Sequence, residues 1–204
     1  MFRSPRATLA ALALPLALMA APTPASANGW DESAEARQTA ATAAWQSLET
    51  LEEAFGVSSI SNGKYRWKDG RDRATRVVVN LNTQMLFVYD GSEMIAASTI
   101  SSGRESNPTP TGIFPIMEKN RHHRSNKYND APMPYMQRLD TYGIALHAGD
   151  LPGYPASHGC IRLPKEFAAR LFKATEVGTE VLVGGYQETG RYAQADKDDQ
   201  DGVS

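Results

Sequence analysis

Ala156-Ser157-His158-Gly159-Cys160-Ile161-Arg162-Leu163 holds the only cysteine in a chain of 204 residues. One cysteine excludes an internal disulfide framework and a multi-cysteine zinc site. It leaves an inert buried thiol or a reactive one, and a thiolate rather than a thiol is the nucleophile, so a reactive cysteine needs a base nearby. Two histidines are placed to serve. His147 ends the short apolar strand Ile144-Ala145-Leu146 and can fold back onto Cys160 through residues 148–155. His158 is two residues before Cys160, so in an extended strand the two side chains share a face. Gly159 between them admits close approach of a substrate to the backbone, and the amides of Gly159 and Cys160 could form an oxyanion hole. Metal binding is the competing chemistry: His147, His158 and Cys160, with Asp150 near in sequence, could hold zinc with one open position.

Outward from this stretch, the composition limits the function classes. Lys and Arg number 21 against 23 Asp and Glu, for a formal charge of −2, which lacks the basic footprint that a nucleic-acid backbone demands. Arg3 and Arg6 precede an Ala/Leu run over residues 7–21, and Ala25-Ser26-Ala27 forms an A-x-A cleavage pattern. This predicts a secretory signal peptide over residues 1–27, since the apolar run is shorter than the roughly 20 residues of a membrane span. Its removal takes away two arginines and no acid, so the mature chain is more acidic still. Export to the periplasm or cell envelope, with no transmembrane anchor after cleavage, makes a lone unpaired thiol unexpected unless it has a function.

Residues 31–55 carry Ala41, Ala44, Trp45, Leu48, Leu51 and Phe55 at three- and four-residue steps, which predicts an amphipathic helix. Residues 57–76 read as an irregular lead-in. Val77 to Leu81, Met85 to Tyr89 and Met94 to Ile100 predict a meander of antiparallel strands, and Ile113 to Met117 resumes the extended pattern after the rigid turn Pro108-Thr109-Pro110-Thr111-Gly112. Residues 118–140 are polar and aromatic without a regular period, and a long connection of this kind predicts a lid or binding loop. Pro164 opens a short helix with Phe167, Ala168, Leu171 and Phe172 on its core face, and Val181-Leu182-Val183 predicts a last strand. Residues 185–204, rich in Asp, read as a flexible acidic tail. The expected organisation is therefore a leader (1–27), an N-terminal helix and linker (28–74), a β-rich catalytic domain (75–184) and the tail (185–204).

The Ser157-His158-Gly159-Cys160-Ile161-Arg162 run, preceded by His147 and by Pro110-Thr111-Gly112 and Met133-Pro134-Tyr135, resembles the catalytic domain of the L,D-transpeptidases, the YkuD family. The resemblance implies a mainly β fold, a sandwich of mixed sheets with one short helix after the cysteine. It implies Cys160 as nucleophile and His147 as general base and later acid, with His158, Gly159, Ser157 and Arg162 supporting the site. It places Tyr135, Met133 and Tyr128 in a lid over the substrate. The main-chain carbonyl of the residue after the first histidine, here Ala148, is implied to orient the base. Peptidoglycan stem peptides are the implied partners: a tetrapeptide donor and an amine acceptor from another stem or an envelope protein. Neither metal nor organic cofactor is implied. A hydrolase on the same scaffold (L,D-carboxypeptidase or amidase) would use the same residues, and a non-catalytic wall-binding module is the alternative of another class.

Overall fold

The computed structural model describes residues 29–185 apart from Tyr128. The expected leader, the expected acidic tail from residue 186 onward and the expected substrate contact of Tyr128 lie outside the described residues.

Residues 34–55 form α1 (Ala34–Phe55), capped by Ser33, whose Oγ accepts the Ala36 N–H at 3.2 Å, and closed by Gly56 at φ 66°. The helix starts later than Asp31 for a physical reason. Asp31 pairs with Ile113 through two main-chain hydrogen bonds of 2.8 Å, so it belongs to a sheet edge.

The strands follow in chain order: β1 (Tyr65–Trp67), β2 (Arg76–Asn80), β3 (Met85–Asp90), β4 (Glu93–Thr99), β5 (Gly112–Pro115), β6 (Glu118–Arg124), β7 (Pro132–Arg138), β8 (Ala145–Ala148) and β9 (Ile161–Leu163). Then come α2 (Lys165–Ala174) and β10 (Glu180–Gly184). One sheet has the order β1-β4-β3-β2-β10-β5, and the other β6-β7-β8-β9. Both are mixed, because β10 runs parallel to β2 and β9 parallel to β8.

Period-2 alternation in the six-stranded sheet divides the core. Val77, Val79, Leu86, Val88, Val181 and Val183 face α2 and the second sheet, meeting Phe167, Leu171, Leu146, Ile161 and Leu163. Val78, Phe87, Met94 and Leu182 face the other way, onto Ala40, Ala44 and Leu51 of α1. The layers are thus α1, the large sheet, and then α2 with the small sheet.

Three expectations are corrected. The lead-in of residues 57–76 contains β1, which pairs with β4 from Tyr65↔Ser98 to Trp67↔Ala96. Residues 118–140 are no irregular loop; β6 and β7 form an antiparallel hairpin from Glu118↔Arg138 to Arg124↔Pro132. Trp45, placed on the apolar stripe of α1, is 43% exposed, because the helix lies on the sheet through alanines that leave no room for an indole.

Candidate active site

The four residues of β8 and three of β9 set the site by alternation alone. Leu146 pairs with Ile161 and Ala148 with Leu163, all pointing into the core, so the intervening pair His147↔Arg162 points to the opposite face. Cys160 precedes Arg162 by two residues and shares that outer face, where it packs with Ala145, Met133 and Met136. A cavity of about 580 Å³ opens there, lined by Cys160, His147, His158 and Arg162 among others.

The turn before Cys160 is fixed by Ser157, which is buried. Its Oγ accepts the Gly159 N–H at 3.0 Å and donates to the Cys160 carbonyl at 2.5 Å. Gly159 has φ 110°, a backbone conformation that favours glycine, and a Cβ there would also have to displace Ile144 Cδ1, 2.7 Å away. Thr109 Oγ1 donates to the Gly159 carbonyl at 2.8 Å and accepts the Gly103 N–H at 2.8 Å. One expectation fails here, and another is met by a different route. The Gly159 amide is taken by Ser157 and does not face a substrate, which leaves the Cys160 amide as the candidate donor in this turn. His158 sits in a bend ahead of β9, so strand alternation does not set its direction, although it lines the cavity beside Cys160.

His147 is buried, and its Nδ1 lies 2.8 Å from the Ala148 carbonyl oxygen. A carbonyl only accepts, so Nδ1 carries the proton and Nε2 of the neutral ring keeps its lone pair. Burial pushes the imidazole pKa down to about 4; the Ala148 carbonyl opposes this, and the charges of Arg162 and His123 add to it. Burial also raises the Cys160 thiol, aided by Asp140 and opposed by the Ala145 N–H, Arg162 and Lys127. Both shifts disfavour charge, so the resting pair is a thiol and a neutral imidazole rather than a thiolate and an imidazolium.

The cysteine sulfur is held on its other side by a turn. Asp140 Oδ1 accepts the Gly143 and Ile144 N–H groups at 2.8 and 2.9 Å, which aims the Gly143 carbonyl at Cys160 Sγ, 3.5 Å away. Among the described residues, no group of three or more His, Cys, Asp or Glu side chains is arranged to hold a metal ion.

Comparison with known proteins matches this arrangement to one domain model, the L,D-transpeptidase catalytic domain of YkuD type, over residues 74–183. The chain belongs to the YkuD family. No curated protein matches it in sequence. Among solved structures it resembles the Ldtfm–avibactam carbamoyl enzyme, at 30% identity and TM-score 0.52 over 56% of this chain and 50% of that one. It also resembles the L,D-transpeptidase LdtMt1 in complex with imipenem, at 26% identity and TM-score 0.50 over 54% and 58% of the two chains. An L,D-transpeptidase from Mycobacterium smegmatis, 20% identical with TM-score 0.50 over 54% and 58%, shares the fold. The chain thus spans between half and three-fifths of the length of these proteins.

Within this YkuD domain the hairpin residues separate. Met133 lines the cavity, whereas Tyr135 turns away from it, with its ring 6.0 Å from that of Phe172 on α2 and beneath Arg121. Tyr135 also carries φ 59° inside β7, opposite Arg121, at a point where the pair between His122↔Pro134 and Asn120↔Met136 is not formed although the register is unchanged. The sequence expectation of a substrate contact is therefore replaced by a packing role against α2. Asp140, Thr109 and His123 were missed. Asp140 had a legible signal, since Asp-x-x-Gly is an Asx-turn pattern.

Proposed function

We propose that this chain is a peptidoglycan L,D-transpeptidase in which Cys160 is the nucleophile and His147 the base. The supporting observation is that Cys160 and His147 line one cavity on the same sheet face, with the imidazole neutral and its Nδ1 committed to a carbonyl. Nε2 takes the thiol proton as sulfur attacks the carbonyl of the third residue of a tetrapeptide stem. The tetrahedral oxyanion is met by the Cys160 amide. Collapse breaks the peptide bond, His147 returns the proton to the leaving D-Ala amine, and a thioester remains. An acceptor amine then attacks the thioester, His147 takes its proton, and the sulfur leaves to be reprotonated. General acid–base catalysis of this kind contributes about 10²- to 10⁴-fold.

His158 and Arg162 support the site from the cavity wall, and Ser157 supports it through the turn. The domain acts in the cell envelope, reached through the leader. No helix among the described residues is long and apolar enough to cross a membrane.

The test incubates the mature chain, residues 28–204, with disaccharide-tetrapeptide and reads products by mass. Dimers lacking one D-Ala are expected. Tripeptide alone would instead mark a carboxypeptidase, and no change would mark a binding module. Cys160→Ala is expected to form no product, and retained activity in that variant would overturn the assignment of the nucleophile.

A further inference from the structure

The cavity that Cys160 shares with His147 holds three charged side chains that the acylation step does not use: Asp150, Arg162 and Lys165. Among the described residues none of the three enters an ion pair. Arg162 is positioned nonetheless. Its aliphatic stem packs closely on Gly149, where an added Cβ would fall 3.1–3.3 Å from its carbons. Two unpaired cations and one unpaired carboxylate around one cavity are complementary to a zwitterion.

A second cavity, of about 230 Å³, reaches Cys160 from the side of Lys127, Arg138 and Ile144, and His147 does not line it. Of these two cavities, the base faces the larger. A single base must protonate the departing amine and deprotonate the arriving one, so both pass through the larger cavity. The departing group is D-Ala, an amine with a carboxylate on the adjacent carbon.

We propose that Asp150, Arg162 and Lys165 form a subsite for an α-amino-acid head group, which holds the departing D-Ala and then selects acceptor amines that carry a neighbouring carboxylate. The inference rests on the transpeptidase function proposed above. Arg162 and Lys165 take the carboxylate, and Asp150 attracts the ammonium, which gives one proton to solvent. The neutral amine then attacks the thioester, His147 takes its second proton, and the amide forms as the carbon–sulfur bond breaks and that proton passes to the sulfur. A diamino acid whose side-chain amine sits beside a carboxylate fits this subsite. The isolated ε-amine of a protein lysine does not.

The test compares glycine with glycinamide as acceptors for the mature chain supplied with disaccharide-tetrapeptide, reading exchanged products by mass. Glycinamide has the less basic amine, so more of it is neutral at pH 7 and amine protonation favours it. Glycine is nevertheless expected to be at least about tenfold the better acceptor, and Arg162→Gln or Lys165→Gln to shrink that advantage by about tenfold, since a charge-assisted carboxylate contact is lost. Lys165 is exposed, which makes its variant safe for folding. Equal use of the two amines would overturn the proposal, as would variants that keep the preference. A parallel titration of Cys160→Ala with each ligand separates this inference from the enzymatic one. Glycine is expected to bind at least about tenfold tighter than glycinamide even though no thioester forms. Equal binding overturns the subsite, whereas absence of D-Ala release by the unmodified chain overturns only the transpeptidase reading.

Discussion

At the residue scale, the uncharged resting pair has consequences for both activity and stability. A His147 pKa of about 4, against about 6.5 in the unfolded chain, means that the unfolded chain binds more protons between those values. The stability contribution is therefore fully present above pH 6.5 and is lost as pH falls toward 4. The loss is about 3 kcal/mol, visible as a falling urea midpoint over that window. His147→Gln is expected to flatten this dependence. The rate of D-Ala release from disaccharide-tetrapeptide is expected to stay level from pH 7 to 5 and to fall only near 4; a midpoint near 6.5 would contradict the buried neutral imidazole. Ser157→Ala removes both the acceptor of the Gly159 N–H and the donor to the Cys160 carbonyl, and is expected to cost about 1–3 kcal/mol and to slow D-Ala release. The Ser-His-Gly-Cys run, with His147 ahead of it, marked in sequence two residues that the fold brings to one cavity. It could not show that the Gly159 amide is spent inside the turn, because the direction of an amide is a property of the turn's dihedrals and not of its residue names.

At the element scale, β8 and β9 show what patterning can and cannot reveal. Leu146 and Ala148 against Ile161 and Leu163 mark a core face, and the polar residues between them mark the site. The hairpin of β6 and β7 was illegible for the converse reason. Lys119, Asn120, Arg121, His122 and Arg124 are polar along both faces of β6, and Pro132 and Pro134 interrupt β7, so no apolar period survives. Within the hairpin, β6 is fastened to the end of α2 by Lys119. Lys119 Nζ donates to the carbonyls of Phe172 and Thr175 at 2.6 and 2.5 Å and lies 4.5 Å from the centre of the Phe172 ring. These carbonyls end α2, where a cation also meets the negative end of the helix dipole. Lys119→Met is expected to lower stability by about 1.5–3 kcal/mol, since bonds to a charged donor are lost. Amide exchange in β6 is expected to speed up more than in β3; equal changes in the two strands would show that Lys119 does not fasten the hairpin.

At the scale of the whole molecule, the family match begins at residue 74, yet the large sheet has two apolar faces and only one of them is covered from within the matched region. The other is covered by α1. Gly184 of β10 lies so close beneath this helix that an added Cβ would sit 2.6 Å from the Ala40 carbonyl oxygen and 2.7 Å from Ala44 Cβ. Asn80 Nδ2 donates to the Ala44 carbonyl at 3.1 Å, and the Tyr89 hydroxyl donates to Ser47 Oγ at 2.9 Å. A spacer helix would need none of these. The folding unit we expect is therefore residues 29–185, in which the helix is a layer of the domain rather than an appendage. A chain trimmed to residues 74–185 leaves Val78, Phe87, Met94 and Leu182 uncovered, a contiguous apolar surface of the kind that drives aggregation. It is expected to bind a hydrophobic dye and to lose its cooperative thermal transition, while residues 29–185 keep theirs. Gly184→Val tests the same contact without truncation. The branched side chain must push α1 off the sheet, for an expected loss of at least about 2 kcal/mol, in line with overpacked cores. If that variant and the trimmed chain both melt as the parent does, α1 is not part of the fold's core.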